Sequence, residues 1–166
     1  MMDTKLIEEI IDILNEDESS MIPRPATDED IALCNKDLDE LGLLTLPEEY
    51  VAFLKLNNGL AWNGIEFYST DQVVEADNPD GYKLMDLVTM NDDFNDRYEL
   101  DECLLIGRAD EDYYTYNTKK KVYEVRDVSA VWDVYYDCES FAELFVSEVG
   151  GRLGLNQYSE PAPEQN

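Results

Sequence analysis

The residues able to do chemistry in this chain are overwhelmingly acids: 39 Asp and Glu face 12 Lys and Arg, for a formal charge of −27, and there is no histidine. Without imidazole, the Ser-His-Asp and Cys-His nucleophilic arrangements, histidine-based zinc sites and the commonest general base near neutral pH all drop out. Cys34, Cys103 and Cys138 are odd in number, far apart and in no Cys-x-x-Cys pair, so buried reduced thiols are expected rather than a disulfide framework or a zinc site. Two carboxylates suffice for glycoside hydrolysis, but in a chain this acidic some suitable pair always exists, and its presence carries no information. The eight glycines are scattered and no Gly-Lys-Ser/Thr phosphate loop occurs. Asn91, Asp93, Asn95, Glu99 and Glu102 fall at the first, third, fifth, ninth and twelfth places of a calcium-loop register. The sixth place, where the turn needs glycine, is Asp96, and the first is not Asp, so an acidic, solvated helix end is expected there and no metal. Neither catalysis nor a cofactor has positive support.

Binding chemistry has more. Nucleic acid and anionic membranes carry the same sign as this protein and are disfavoured by repulsion, so the natural partner is a basic protein. The competing reading is that the charge only confers solubility. Interface hot spots favour Trp, Tyr and Arg, while acids supply steering. Asp110, Glu111, Asp112, Tyr113 and Tyr114 combine both types in one run, as do Tyr135, Tyr136 and Asp137, and Trp62 with Glu66 flanks a hairpin; these are the candidate partner contacts. Strand alternation places Tyr114 and Tyr116 on one face and Tyr113 and Thr115 on the other, so about half of these aromatics are expected in the core. Trp62 and Trp132 are both expected to pack.

The elements positioning these residues start with an amphipathic helix in which Leu6, Ile7, Ile10, Ile11 and Leu14 recur at three- and four-residue steps, ending between Asn15 and Ser20. Met21 to Pro25 is an extended link. Thr27 and Asp30 form a capping box for a second helix carrying Ile31, Leu33, Cys34, Leu38 and Leu41, stopped by Gly42. A third helix runs from Pro47 to Leu56, with Glu48 and Glu49 opposing its dipole, Tyr50, Phe53 and Leu54 on one face, and Asn58-Gly59 as its stop. Asn63-Gly64 between apolar flanks signals a tight hairpin. The segment from Asp77 to Gly81 reads as turns, and Leu84, Leu87, Val88 and Asn91 as a fourth helix. Strands follow at Leu104–Gly107, Tyr113–Tyr116 and Lys121–Val125, with a turn at Asn117–Lys120 and a further strand or extended arm at Val131–Tyr136. Ser140 to Glu143 reads as a capping box opening the last helix, with Phe141, Leu144, Phe145 and Val149 inward. Helices, a strand meander and a closing helix make an α+β domain.

With 166 residues the chain fits one domain. No apolar run approaches about 18 residues. Met1-Met2-Asp3-Thr4-Lys5 lacks the features of a signal peptide, so a cytoplasmic location is expected. Ser159 to Asn166, with Pro161 and Pro163, is expected to be a disordered tail after a domain covering residues 1–158.

The run from Leu46-Pro47-Glu48-Glu49-Tyr50 to Asn57-Asn58-Gly59, the hairpin Ile65-Glu66-Phe67-Tyr68, then Leu105-Ile106-Gly107 through Asp112-Tyr113-Tyr114, and the closing Ser140-Phe141 to Leu144-Phe145 resemble, in order, the SUKH superfamily of fungal cell-wall assembly regulators and bacterial immunity proteins. The resemblance covers about residues 28–150. It implies an antiparallel or mixed sheet flanked by N-terminal, central and C-terminal helices. For bacterial members it also implies action as cytosolic antidotes that bind secreted toxin domains, often nucleases. Where the family usually has glycine before the aspartate of the second motif and aspartate after the tyrosine strand, this chain has Glu111 and Asn117. Three readings follow: an immunity protein (antitoxin) sequestering a basic toxin domain; a cytosolic regulatory interaction module of the same fold; and a carboxylate-based hydrolase. Exposed aromatics would equally serve a homodimer contact, and the oligomeric state stays open.

Overall fold

A computed structural model describes residues 2–75 and 78–154, with the side chains of 78–80 excepted. In helix α1 (Lys5–Asn15) the three- and four-residue spacing buries Ile7, Ile10, Ile11 and Leu14 and leaves Leu6 exposed. Helix α2 (Asp28–Glu40) opens with the expected capping box, in which the Thr27 hydroxyl accepts from the Asp30 amide and the Asp30 carboxylate from the Thr27 amide. Its buried stripe is Ile31, Cys34 and Leu38. Leu33 points to solvent one position off that stripe, and Leu41 is exposed as the C-cap beyond the last helical residue.

Helix α3 (Glu48–Leu56) uses Pro47 as its N-cap rather than as its first helical residue, and buries Tyr50, Phe53 and Leu54. The Tyr50 hydroxyl donates to the carbonyl of Tyr68 at 2.6 Å, fastening the helix to the sheet. Gly59 alone takes the left-handed conformation after α3, at φ +98°, while Asn58 bonds Thr70 through both ends of its amide. Strands β1 (Leu60–Trp62) and β2 (Ile65–Phe67) join through Asn63 and Gly64, both at positive φ, as a two-residue hairpin turn demands.

A second hairpin, β3 (Val73–Glu75) with β4 (Asn78–Leu84), stands apart from the main sheet. Of the segment Asp77 to Gly81, expected as turns, Asp77 lies outside the described residues and 78–81 are strand, as is Leu84, expected in a helix, because pairing to β3 overrides local turn propensity. Helix α4 (Leu87–Tyr98) begins only after Asp86, whose carboxylate accepts from the Thr89 amide. It runs through most of the calcium-loop register, and Asn91 at its first place is buried and bonded to the backbone of Leu87 and Leu105.

The main sheet is completed by β5 (Cys103–Arg108), β6 (Asp112–Asn117), β7 (Val122–Asp127) and β8 (Val134–Cys138), in the order β1-β2-β5-β6-β7-β8, antiparallel throughout. A Cβ at Gly107 would lie 2.2 Å from the carbonyl oxygen of Glu66, so glycine is what lets β5 approach β2. Helix α5 (Phe141–Phe145) continues as a π-helical turn over Val146–Gly150. Its capping is half of the box expected: the Ser140 hydroxyl accepts from the Glu143 amide, but the Glu143 carboxylate takes the Glu139 amide instead. The Phe141 amide is bonded by Glu49 of α3.

On one side of the sheet, Phe67, Tyr114 and Tyr123 meet Phe53, Phe141 and Phe145, and α1 packs into the same core. On the other side α4 lays Phe94 against Tyr113, with ring centroids 5.2 Å apart. The middle of the sheet is thus covered on both faces, which buries Tyr113 and Tyr114 together despite their alternation. The proposed disordered tail lies outside the described residues.

Candidate functional site

Five of the candidate contacts converge. The turn between β5 and β6 carries Asp110, Glu111 and Asp112, closed by the Ala109 amide donating to the Asp112 carbonyl at 2.9 Å, so Glu111 is compatible with a tight turn. Tyr135 and Tyr136 come from β8, two strands away. Together with Val125, Glu148 and Arg152 these residues line an open groove of about 550 Å³.

Glu148 is held in the groove by two phenols, Tyr114 at 2.8 Å and Tyr136. Burial, reinforced by the Glu148 carboxylate, pushes both phenols far above the usual tyrosine range, so they stay protonated donors. Burial also raises the Asp112 carboxyl, with Glu148 and Glu111 adding repulsion and Arg152 easing it. Arg152 in turn donates to the carbonyl of Asn63 at 2.6 Å, which brings the β1–β2 turn to the groove's rim.

The segment that leads into β8 and its first residues expose large apolar side chains, of which Tyr135 lines the groove. Trp132 is 67% exposed, Tyr135 56% and Val134 38%. The exposure of Trp132 corrects the expectation that it packs: Val131 is the residue that turns inward, and Trp132 meets Tyr98 edge-on at 6.2 Å. The loop carrying it is pinned from beneath by Arg126, whose Nη1 donates to the Val131 carbonyl at 2.9 Å. Arg126 belongs to a buried polar cluster with Glu124, Thr115 and Cys103 whose bonds are satisfied internally. Asn117 joins it, and its Oδ1 accepts from the amides of Lys119 and Lys120, supplying the turn that aspartate would supply.

Other candidates are placed differently. Tyr113 and Tyr114 are core, and Asp137 is exposed farther along β8. Trp62 packs as expected, donating Nε1 to Asp17 at 2.9 Å. Glu66 accepts from Tyr82 in a second cleft of about 610 Å³, which Trp62 also lines. Sequence reasoning missed Glu148, Arg152 and the exposure of Trp132. Glu148 had a signal, because it continues the three- and four-residue stripe of Phe141, Leu144 and Phe145 and so is an acid at a core-facing place. Burial raises the thiols of Cys34 and Cys103 to about 12, which leaves neither as a thiolate near neutral pH. No group of three or more His, Cys, Asp or Glu among the described residues is arranged to hold a metal ion.

The antiparallel six-stranded sheet with N-terminal, central and C-terminal helices is the α+β architecture that the resemblance implies. A family model for the SMI1 / KNR4 family (SUKH-1) matches residues 25–147. The chain belongs to this family. The SUKH-1 match takes in α2 through α5 and so the acidic turn, Trp132 and β8. It ends short of α1, which packs into the core of this SUKH-1 chain, and of Glu148 and Arg152, which line its groove. A search of curated proteins found no match. No helix among the described residues is long and apolar enough to cross a membrane.

Proposed function

We propose that this SUKH-1 protein acts by binding rather than by catalysis, as a cytoplasmic immunity protein that occupies a basic toxin domain, such as a nuclease, and neutralises it. One observation carries the reading: Asp110, Glu111, Asp112 and Glu148 are gathered in one groove with exposed Tyr135, on the same edge segment that exposes Trp132 and Val134, on a molecule of charge −27. Aromatic anchors ringed by acid match what a cationic protein surface requires, since the carboxylates speed the encounter and the rings supply desolvated contact. Family membership supports a protein-binding role, and the resemblance to bacterial antidotes supports the choice of a toxin as partner.

The test is co-expression with the product of the adjacent open reading frame, scored as rescue of growth. Rescue that is lost when Asp110, Glu111 and Asp112 become Asn, Gln and Asn, with binding in vitro that weakens as salt rises, is the expected result. Failure to rescue, or binding indifferent to both changes, overturns the proposal.

The raised carboxyl of Asp112 next to Glu148 favours a second reading, a carboxylate hydrolase. Against it, Glu148 is engaged by two phenols and the groove is open to water. Asp112→Asn separates the two: a hydrolase loses turnover, whereas a binding protein has none to lose.

A further inference from the structure

We propose that the outer edge of β8 takes up an extended, lysine- or arginine-bearing segment of a protein partner as an added strand. This rests on the binding role above and supplies its mode.

The six-stranded sheet has two edges, and they are treated differently. At β1 the edge is closed, because the linker between α1 and α2 pairs with it in both directions: the Met21 amide donates to the Ala61 carbonyl at 2.8 Å and the Ala61 amide to the Met21 carbonyl at 2.9 Å. At β8, β7 lies on the inner side, and among the described residues no segment pairs with Val134 to Asp137 on the outer side. An open edge is a template for another strand, and proteins usually blunt it with lysine, proline or a bulge. This edge has the bulge, opposite Val125 and Arg126, but neither lysine nor proline. Its protection is Asp133 and Asp137.

Acid protection is selective. A second copy of this chain would bring another −27 and its own acids to the same edge, so self-pairing is opposed. A cationic segment meets no such barrier. Alternate residues of an added strand would lie on the face of Tyr136, beside Glu148 and Asp112, and the residues between them on the opposite face, that of exposed Val134, which follows exposed Trp132 in the chain. Basic residues alternating with apolar ones are the sequence this edge fits.

The probe is an acetylated, amidated peptide of alternating lysine and valine, titrated into the full-length isotope-labelled protein. Its partner is the same peptide N-methylated at every residue, which keeps every charge and removes every backbone donor. The parent peptide is expected to shift the amides of Val134 to Asp137, and methylation to weaken binding at least about tenfold. Equal binding by the methylated peptide, shifts confined to the Trp62 and Glu66 cleft, no peptide binding, or a dimer of the free protein through β8 in sedimentation and amide mapping each overturns the inference. Growth rescue is scored independently, so strand addition can fail while the immunity reading stands.

Discussion

Glu124 and Arg126 meet at 2.7 Å inside the protein, with their side chains 1% and 6% exposed, whereas the other carboxylates among the described residues mostly face water. They lie two residues apart on β7 and so share a face, where Arg126 also reaches the carbonyl of Val131. Removing one member of such a pair leaves the other buried without its counterion. Arg126→Met is expected to cost about 3–5 kcal/mol in urea unfolding. It should also speed hydrogen exchange in the loop from Val128 to Asp133, whose anchor it deletes.

Asp112 provides a pH signature. Its carboxyl titrates above the ordinary 3.8 in the folded protein, chiefly through burial. Protons therefore bind the folded state more tightly than the unfolded one. Ionisation costs stability, with no cost below 3.8, a growing cost as pH rises through the folded value, and the full cost above it. Asp112→Asn is expected to raise the thermal midpoint at neutral pH and leave it unchanged well below 3.8, read by calorimetry at both. The same variant should bind its partner less well, so stability and affinity move in opposite directions.

Trp132→Ala separates folding from recognition. The ring is largely solvated, so unfolding free energy should change by no more than about 0.5 kcal/mol. Loss of a hot-spot anchor should weaken partner binding by about 2 kcal/mol, measured calorimetrically. A change in stability with intact binding would assign Trp132 to packing.

Gly107→Ala forces a methyl to within 2.2 Å of the Glu66 carbonyl oxygen, which belongs to backbone and has no rotamer to escape into. The register of β2 against β5 must open. A loss of about 3 kcal/mol is expected in denaturant titration, with the acidic groove disturbed through the neighbouring turn.

Much of this architecture was legible in the sequence because it is written locally. Thr27 and Asp30 announce their own capping box, Asn63-Gly64 its turn, and the aromatic, β-branched runs after Cys103 their strands. What resisted reading depends on partners distant in the chain. β4 is strand because β3 lies beside it, and Tyr113 is buried because Phe94 arrives from α4. Trp132 faces water because Arg126 draws in Val131 next to it. The groove was half legible: its acids and tyrosines adjoin in sequence, but the Arg152 contact with Asn63 spans 89 residues and no local pattern foretells it.

That contact has a practical side. Arg152 is fastened to the hairpin turn and lines the groove, so the turn at Asn63 sits at the rim of the acidic patch. A fluorescent reporter coupled to a cysteine introduced at Asn63 starts its path at that rim and competes with visitors to the groove. Handles for immobilising the molecule belong ahead of α1.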